Sequence, residues 1–122
     1  RMFRTDTVCT LVPYFEMNEG QADAFKALVP KFVERTRSES GCVHYAFSFS
    51  GSSAHCREGY DDAGAVLAHL ENVGALLQQA LQHAKIVRLE VHGPAAELDK
   101  LRQPLAGLNP QWYELDSAGI RR

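Results

Sequence analysis

His69 is the residue whose type and setting most suggest chemistry. It stands in the stretch Glu58–Asn72, EGYDDAGAVLAHLEN, where a short polar strand end runs into an alanine-rich helix. Val66, His69, Leu70, Val73 and Leu77 recur at helical spacing and share one face, which turns the imidazole inward or along a cleft edge. An imidazole titrates at about pH 6.5 and can take a proton from a phenol near neutrality. The same spacing also suits a histidine that hydrogen-bonds a sheet carbonyl and does nothing else.

Aromatic side chains could hold a ring beside it. In CVHYAFSFS, residues 42–50, Val43, Tyr45, Phe47 and Phe49 fall on one strand face, and Cys42, His44, Ala46 and Ser48 on the other. Tyr45 and Phe47 are candidates for orienting a bound aromatic compound, with the tyrosine hydroxyl bonding its oxygen. Glu58 and Tyr60 alternate on the third strand, with Tyr60 a candidate for the pocket mouth. Glu58 is expected to pair with Arg88 of the fourth strand, and His44 to face a dimer interface. Trp112 and Tyr113 offer stacking surface, or anchor the C-terminal tail.

Several chemistries have no motif. The five histidines are dispersed, and none pairs with a histidine or carboxylate at a ligand spacing, so no metal site is expected. No glycine-rich phosphate loop follows a strand, and no Ser or Cys sits in a nucleophile motif. Net charge is −2, and Lys and Arg are scattered, which disfavours a nucleic-acid partner. Cys9, Cys42 and Cys56 are an odd number without CxxC spacing, which fits free thiols in a reducing compartment, buried as small hydrophobes in strands. No apolar run reaches the ~20 residues of a bilayer span, and no secretory segment opens the chain, so a cytoplasmic protein is expected.

The elements that must position these residues follow from pattern. The 122 residues suit a single domain. Residues 7–16 read as a strand, which Pro13 pushes toward an edge or a bulge. Asn18 is the expected cap of a helix carrying Phe25, Leu28, Val29, Phe32 and Thr36; Pro30 should kink it or split it in two. Gly41 should end it in a left-handed conformation. Strands at 42–50 and 54–60 flank the loop Gly51–Ser53. Asp61 or Asp62 caps a helix over 63–70, a second helical stretch covers 73–83, and a fourth strand covers 85–92. The order is β-α-β-β-α-β, the α+β ferredoxin-like plan, with one sheet face under two helices. The other face also carries apolar residues, which calls for a partner, most simply a second copy. The tail adds a short helix and a fifth strand containing Trp112, and should dock on its own sheet edge or on the partner's.

The patterns ESGCVHY (Glu39–Tyr45), EGYDD (Glu58–Asp62) and AHLEN (Ala68–Asn72) together resemble the antibiotic biosynthesis monooxygenase family. The resemblance spans residues 7–93, leaving 94–122 as a C-terminal extension of the one domain. It implies a dimeric α+β barrel, two ferredoxin-like sheets packed face to face, with a small-molecule pocket between sheet and helices. It also implies a cofactor-independent monooxygenase acting with O2 on a quinol or phenolic substrate. His69 would be the catalytic base, and Tyr45, Phe47, Tyr60 and Trp112 would hold the substrate. The alternative is a non-catalytic small-molecule-binding protein of the same fold. Haem-degrading members are implied to use a pocket Asn, a Trp and a haem-ligating His; here Asn72 lies beside the His69 helix turn and the single Trp lies in the tail, a departure that ranks this reading last.

Overall fold

The computed structural model describes residues 2–122. The element order is β1 (Cys9–Met17), α1 (Ala22–Arg37), β2 (Cys42–Ser50), β3 (Ser53–Tyr60), α2 (Ala63–Ala80), β4 (Ala84–Gly93), α3 (Ala95–Leu101), a 3-10 turn (Ala106–Leu108) and β5 (Gln111–Glu114). The five strands form one mixed sheet in the order β2-β3-β1-β4-β5. The first four pair antiparallel, and β5 runs parallel to β4. The ferredoxin-like expectation is met, and the tail docks on its own sheet edge.

Strand alternation sets the layers. Cys9, Leu11, Pro13, Phe15 and Met17 of β1 are buried toward the helices. Pro13 nevertheless lies in the central strand, not at an edge. No β1–β3 partners occur between Leu11↔Glu58 and Tyr14↔His55, and the β1–β4 register shifts between Tyr14 and Phe15. The missing N–H thus falls at a gap in the β1–β3 ladder, and the neighbouring β1–β4 bulge leaves Val87 of β4 unpaired. The His55 ring nitrogen Nδ1 covers the Pro13 carbonyl at 2.7 Å.

The helices correct four expectations. Asn18 does not cap α1; its carbonyl accepts from the Gln21 amide across a turn that Gly20 completes at φ +74°. Pro30 does not split α1, because Pro30 and Lys26 are both exposed and the carbonyl it frees faces water. Phe25, Leu28, Phe32 and Thr36 bury the opposite face and hold the helix together. Gly41 is not left-handed, and α1 ends at Ser38. What Gly41 needs is closeness: a Cβ there would lie 2.5 Å from Ala65 Cβ of α2. Helix α2 is also one piece through Ala80 rather than two. Asp62 is its cap, accepting from the Ala65 amide at 2.8 Å.

Two apolar clusters fill the space between helices and sheet. One gathers Phe15, Phe25, Phe32, Ala54, Val73 and Leu76 under α1. The other gathers Leu11, Tyr60, Val66, Val91, Leu98 and Leu105 under the start of α2 and the C-terminal extension. The extension is tied in by Glu97, whose carboxylate accepts from the Ala63 amide at the first turn of α2 (3.0 Å) and from Lys100. On the outer sheet face Tyr14 stacks on His55 and His92 on Tyr113. No helix among the described residues is long and apolar enough to cross a membrane.

Candidate active site

A narrow chamber runs between the two clusters. Its floor is Leu11, Pro13 and Phe15 of β1, and its roof is His69, Leu70, Val73, Leu77 and Ala80 of α2. Aliphatic and aromatic groups line nearly all of it. The polar groups Tyr45, Cys56, Glu58 and His69 meet at one end.

His69 is 2% exposed and held from both sides. Its Nδ1 lies 3.0 Å from each oxygen of Glu39, in the turn after α1. Asn72, one turn further along α2, donates to Glu39 Oε2 at 2.7 Å and to the Arg35 carbonyl at 2.9 Å. A carboxylate receiving these donors is an acceptor, so Nδ1 carries the imidazole proton and Nε2 is bare. That bare nitrogen faces Glu58 Oε1 across 3.6 Å, too far for a direct hydrogen bond. Burial lowers the His69 pKa, and the Glu39 charge and hydrogen bond oppose it.

Glu58 is the second buried carboxyl, 7% exposed, and β3 points it at the chamber. Tyr60, two residues on and on the same face, donates its hydroxyl to Glu58 Oε1 at 2.6 Å. Burial pushes the Glu58 pKa up to about 8, against the hydrogen bonds from Tyr60 and Cys56, with the Glu39 charge raising it further. Near neutrality the site therefore holds an un-ionised carboxylic acid beside an un-ionised imidazole. Burial, with the nearby Glu58 charge, also raises the Tyr60 hydroxyl. Burial raises Tyr45, with the Cys56 and Glu58 charges adding to it. Neither tyrosine is a ready base; Tyr60 serves as the hydrogen-bond donor to Glu58.

The structure brings most of the expected residues together. Tyr45 and Tyr60 flank the imidazole, with ring centres 5.1 and 5.0 Å away. Tyr45 and Phe47 line the chamber. Tyr60 is fully buried behind Glu58 rather than at the mouth. Trp112 stands apart in the extension, packed on the second cluster with Arg102 over its ring, and does not line the chamber. Glu58 makes no pair with Arg88, because their side chains leave opposite sheet faces; Arg88 is bonded to Glu90 and Tyr113 on the outer one. His44 lies on the outer side of β2, against the bare Cα of Gly59, where a Cβ would meet its Nε2 at 2.6 Å. Glu39 was visible only as part of a helix-ending turn. No spacing rule joins residues 39, 58 and 69, since three separate elements deliver them.

No family model matches the chain, and no curated protein matches it. Solved structures do. Candidate antibiotic biosynthesis monooxygenases from Nitrosomonas europaea and Caulobacter crescentus align with TM-scores of 0.66 and 0.63, at 14% and 15% identity. They cover 77% and 70% of this chain and 96% and 88% of their own. The architecture is thus the ferredoxin-like one of the antibiotic biosynthesis monooxygenases. MupZ from Pseudomonas fluorescens is 47% identical, over 99% of this chain and 94% of its own, with a TM-score of 0.91. At that identity and coverage the chain belongs to the family of MupZ.

Proposed function

We propose that the protein is an enzyme performing acid–base chemistry on a small, largely apolar molecule, with His69 Nε2 as the base and Glu58 as the acid. The observation that carries this is the pair itself: an imidazole with a bare nitrogen and a neutral carboxyl, 3.6 Å apart, at the one polar end of an apolar chamber. A substrate oxygen between them can lose a proton to one and receive a proton from the other. Glu39 fixes the imidazole tautomer and stabilises the imidazolium that forms.

In the oxygenase reading, a phenol or quinol gives its proton to His69, and the electron-rich anion then reduces O2. The substrate loses two hydrogens and gains one oxygen atom; the second oxygen leaves as water. No cofactor takes part, and Tyr45 and Phe47 hold the ring while the dry chamber protects the intermediate. Support comes from the fold and from the base placed in an apolar site. The working unit in this reading is a homodimer packed through the outer sheet face, and the free thiols favour a cytoplasmic setting.

A second reading is favoured by Glu58. An acid held neutral beside a base also suits proton transfer without O2, as in an isomerisation, addition or elimination.

Oxygen uptake with a panel of hydroquinones and polycyclic phenols separates the readings, run on the wild type, His69→Gln and Glu58→Gln. Uptake that His69→Gln loses supports the oxygenase. Deuterium entering substrate carbon from D2O without uptake supports the second reading. Neither signal from the folded protein, together with saturable ligand binding, overturns catalysis in favour of a binding protein.

A further inference from the structure

The chamber measures about 60 Å³, well below the roughly 300 Å³ and upward of small-molecule sites. A wall must move before anything larger than a few waters can enter. Most walls cannot move cheaply. The floor is the central strand, and the roof is a helix tied at its first turn by Asp62 and Glu97 and in its middle by Asn72.

One wall differs. Leu105 and Leu108 of the C-terminal extension both line the chamber. Leu105 is 1% exposed, whereas Leu108 is 40% exposed and so stands at the rim. Residues 106–109 are all exposed and form a single 3-10 turn. Their hydrogen bonds stay local: Ala106 to Gln103, Leu108 to Leu105, and Asn109 to Ala106. Among the described residues, no side chain of 106–109 bonds another element. Gly107 sits inside the turn, Asn109 closes it in the left-handed region at φ +49°, and Pro104 and Pro110 stiffen its flanks. Both flanks are anchored, Leu101 and Leu105 in the second cluster and β5 on β4. The turn is a short, weakly held segment between two fixed points, with one apolar side chain over the rim.

We propose that the turn Ala106–Asn109 is the lid of the chamber and that Leu108 is its seal, admitting an uncharged apolar ligand. The ligand class follows from the lining, in which Leu77, Ile86, Leu89 and Leu108 offer only apolar surface; a charge passing them would be desolvated without a partner. The inference rests on the proposed function only for the use of this chamber, and its test reads no turnover. A failed lid would leave the chemistry standing, and failed chemistry would leave the lid standing.

The probe is N-phenyl-1-naphthylamine, an uncharged apolar fluorophore, and the readout is energy transfer from Trp112, the single tryptophan. Stopped-flow mixing gives entry and release rates for wild type, Leu108→Ala and the control Val87→Ala, a comparably exposed position outside the chamber. The lid predicts that Leu108→Ala speeds entry and release together by about tenfold, that Kd changes less than threefold, and that Val87→Ala matches wild type. Both side chains lie at the surface, so both variants should fold, which thermal melting checks. Unchanged rates in Leu108→Ala, equal acceleration in Val87→Ala, or no saturable transfer in wild type would each overturn it.

Discussion

Glu58→Gln should leave the protein markedly more stable than wild type at pH 8 and no more stable at pH 4.5. Glutamine keeps the shape of the carboxyl and can still accept from the Tyr60 hydroxyl, but it carries no titrating proton. Wild-type Glu58 titrates near 4.5 in the unfolded chain and at about 8 in the folded one. Below 4.5 both states are protonated and the group adds no pH dependence. Between the two values the unfolded state gives up the proton while the folded state keeps it. The folded state then binds more protons, so stability falls as pH rises. Each pH unit is worth about 1.4 kcal/mol, and the window of roughly 3.5 units accumulates on the order of 5 kcal/mol, levelling off above pH 8. That is a large part of the 5–15 kcal/mol typical of a domain. Urea titrations of both proteins at pH 4.5, 5.5, 6.5, 7.5 and 8.5 give the difference directly. It should grow by about 1 kcal/mol or more per pH unit. Parallel stability curves would refute the neutral buried acid, and with it the acid half of the proposed pair.

Other perturbations probe the scaffold. Glu97→Gln replaces the carboxylate that accepts from the Ala63 amide and Lys100, and should cost about 1 kcal/mol near pH 7. The folded-state pKa of Glu97 is lowered by those bonds, so this difference should shrink as pH falls below 4.5, which chemical denaturation at pH 7 and pH 3.5 would show. Gly41→Ala forces a Cβ against Ala65 and must push α2 off the turn that carries Glu39. A loss of about 1–3 kcal/mol is expected, with the His69 Nδ1 proton resonance shifting as its bond to Glu39 lengthens. Sedimentation velocity should find a dimer of the 13.5 kDa chain, and Val12→Asp, which places a charge on a half-buried apolar position of the outer sheet face, should shift it toward monomer.

Much of the scaffold could be read from the chain because it obeys short-range rules. The alternation of CVHYAFSFS placed Tyr45, Phe47 and Phe49 on the helix side of β2, and the structure keeps them there. A bulge between Cys42 and His44 breaks the pattern before them, so Cys42 packs on the second cluster and Val43, expected beside Tyr45, is left exposed. Asp62 capped α2 as its chemistry requires. The failures were tertiary. Pro30 sits in an unbroken helix because water satisfies the carbonyl it frees, and exposure of one helix face cannot be weighed without the fold. Glu71–Asn72 looked like a break in α2, yet the Asn72 side chain bridges to α1 and Glu39, which stabilises the helix there. Gly41 looked like a helix cap and is instead a point where two elements nearly touch.

The site follows the same division. His69 could be found from its own helix, since one apolar face turned it inward. Its chemistry could not, because that depends on what stands on either side of it. Glu58 seemed destined for Arg88 by charge alone, but strand parity sends the two side chains to opposite faces of the sheet. Once Glu58 faces the core, no cation reaches it, and burial leaves it protonated. Glu39 arrives from the turn that Gly41 permits, and its two oxygens decide which imidazole nitrogen is free. The fold thus gives two glutamates different roles around one histidine: the one in the turn accepts hydrogen bonds from His69 Nδ1 and the Asn72 amide, and the one in the sheet keeps its proton. A lone packed histidine requires neither. A base that must reset after each proton transfer is served by both, which is why the Glu58 titration bears on function as well as on stability.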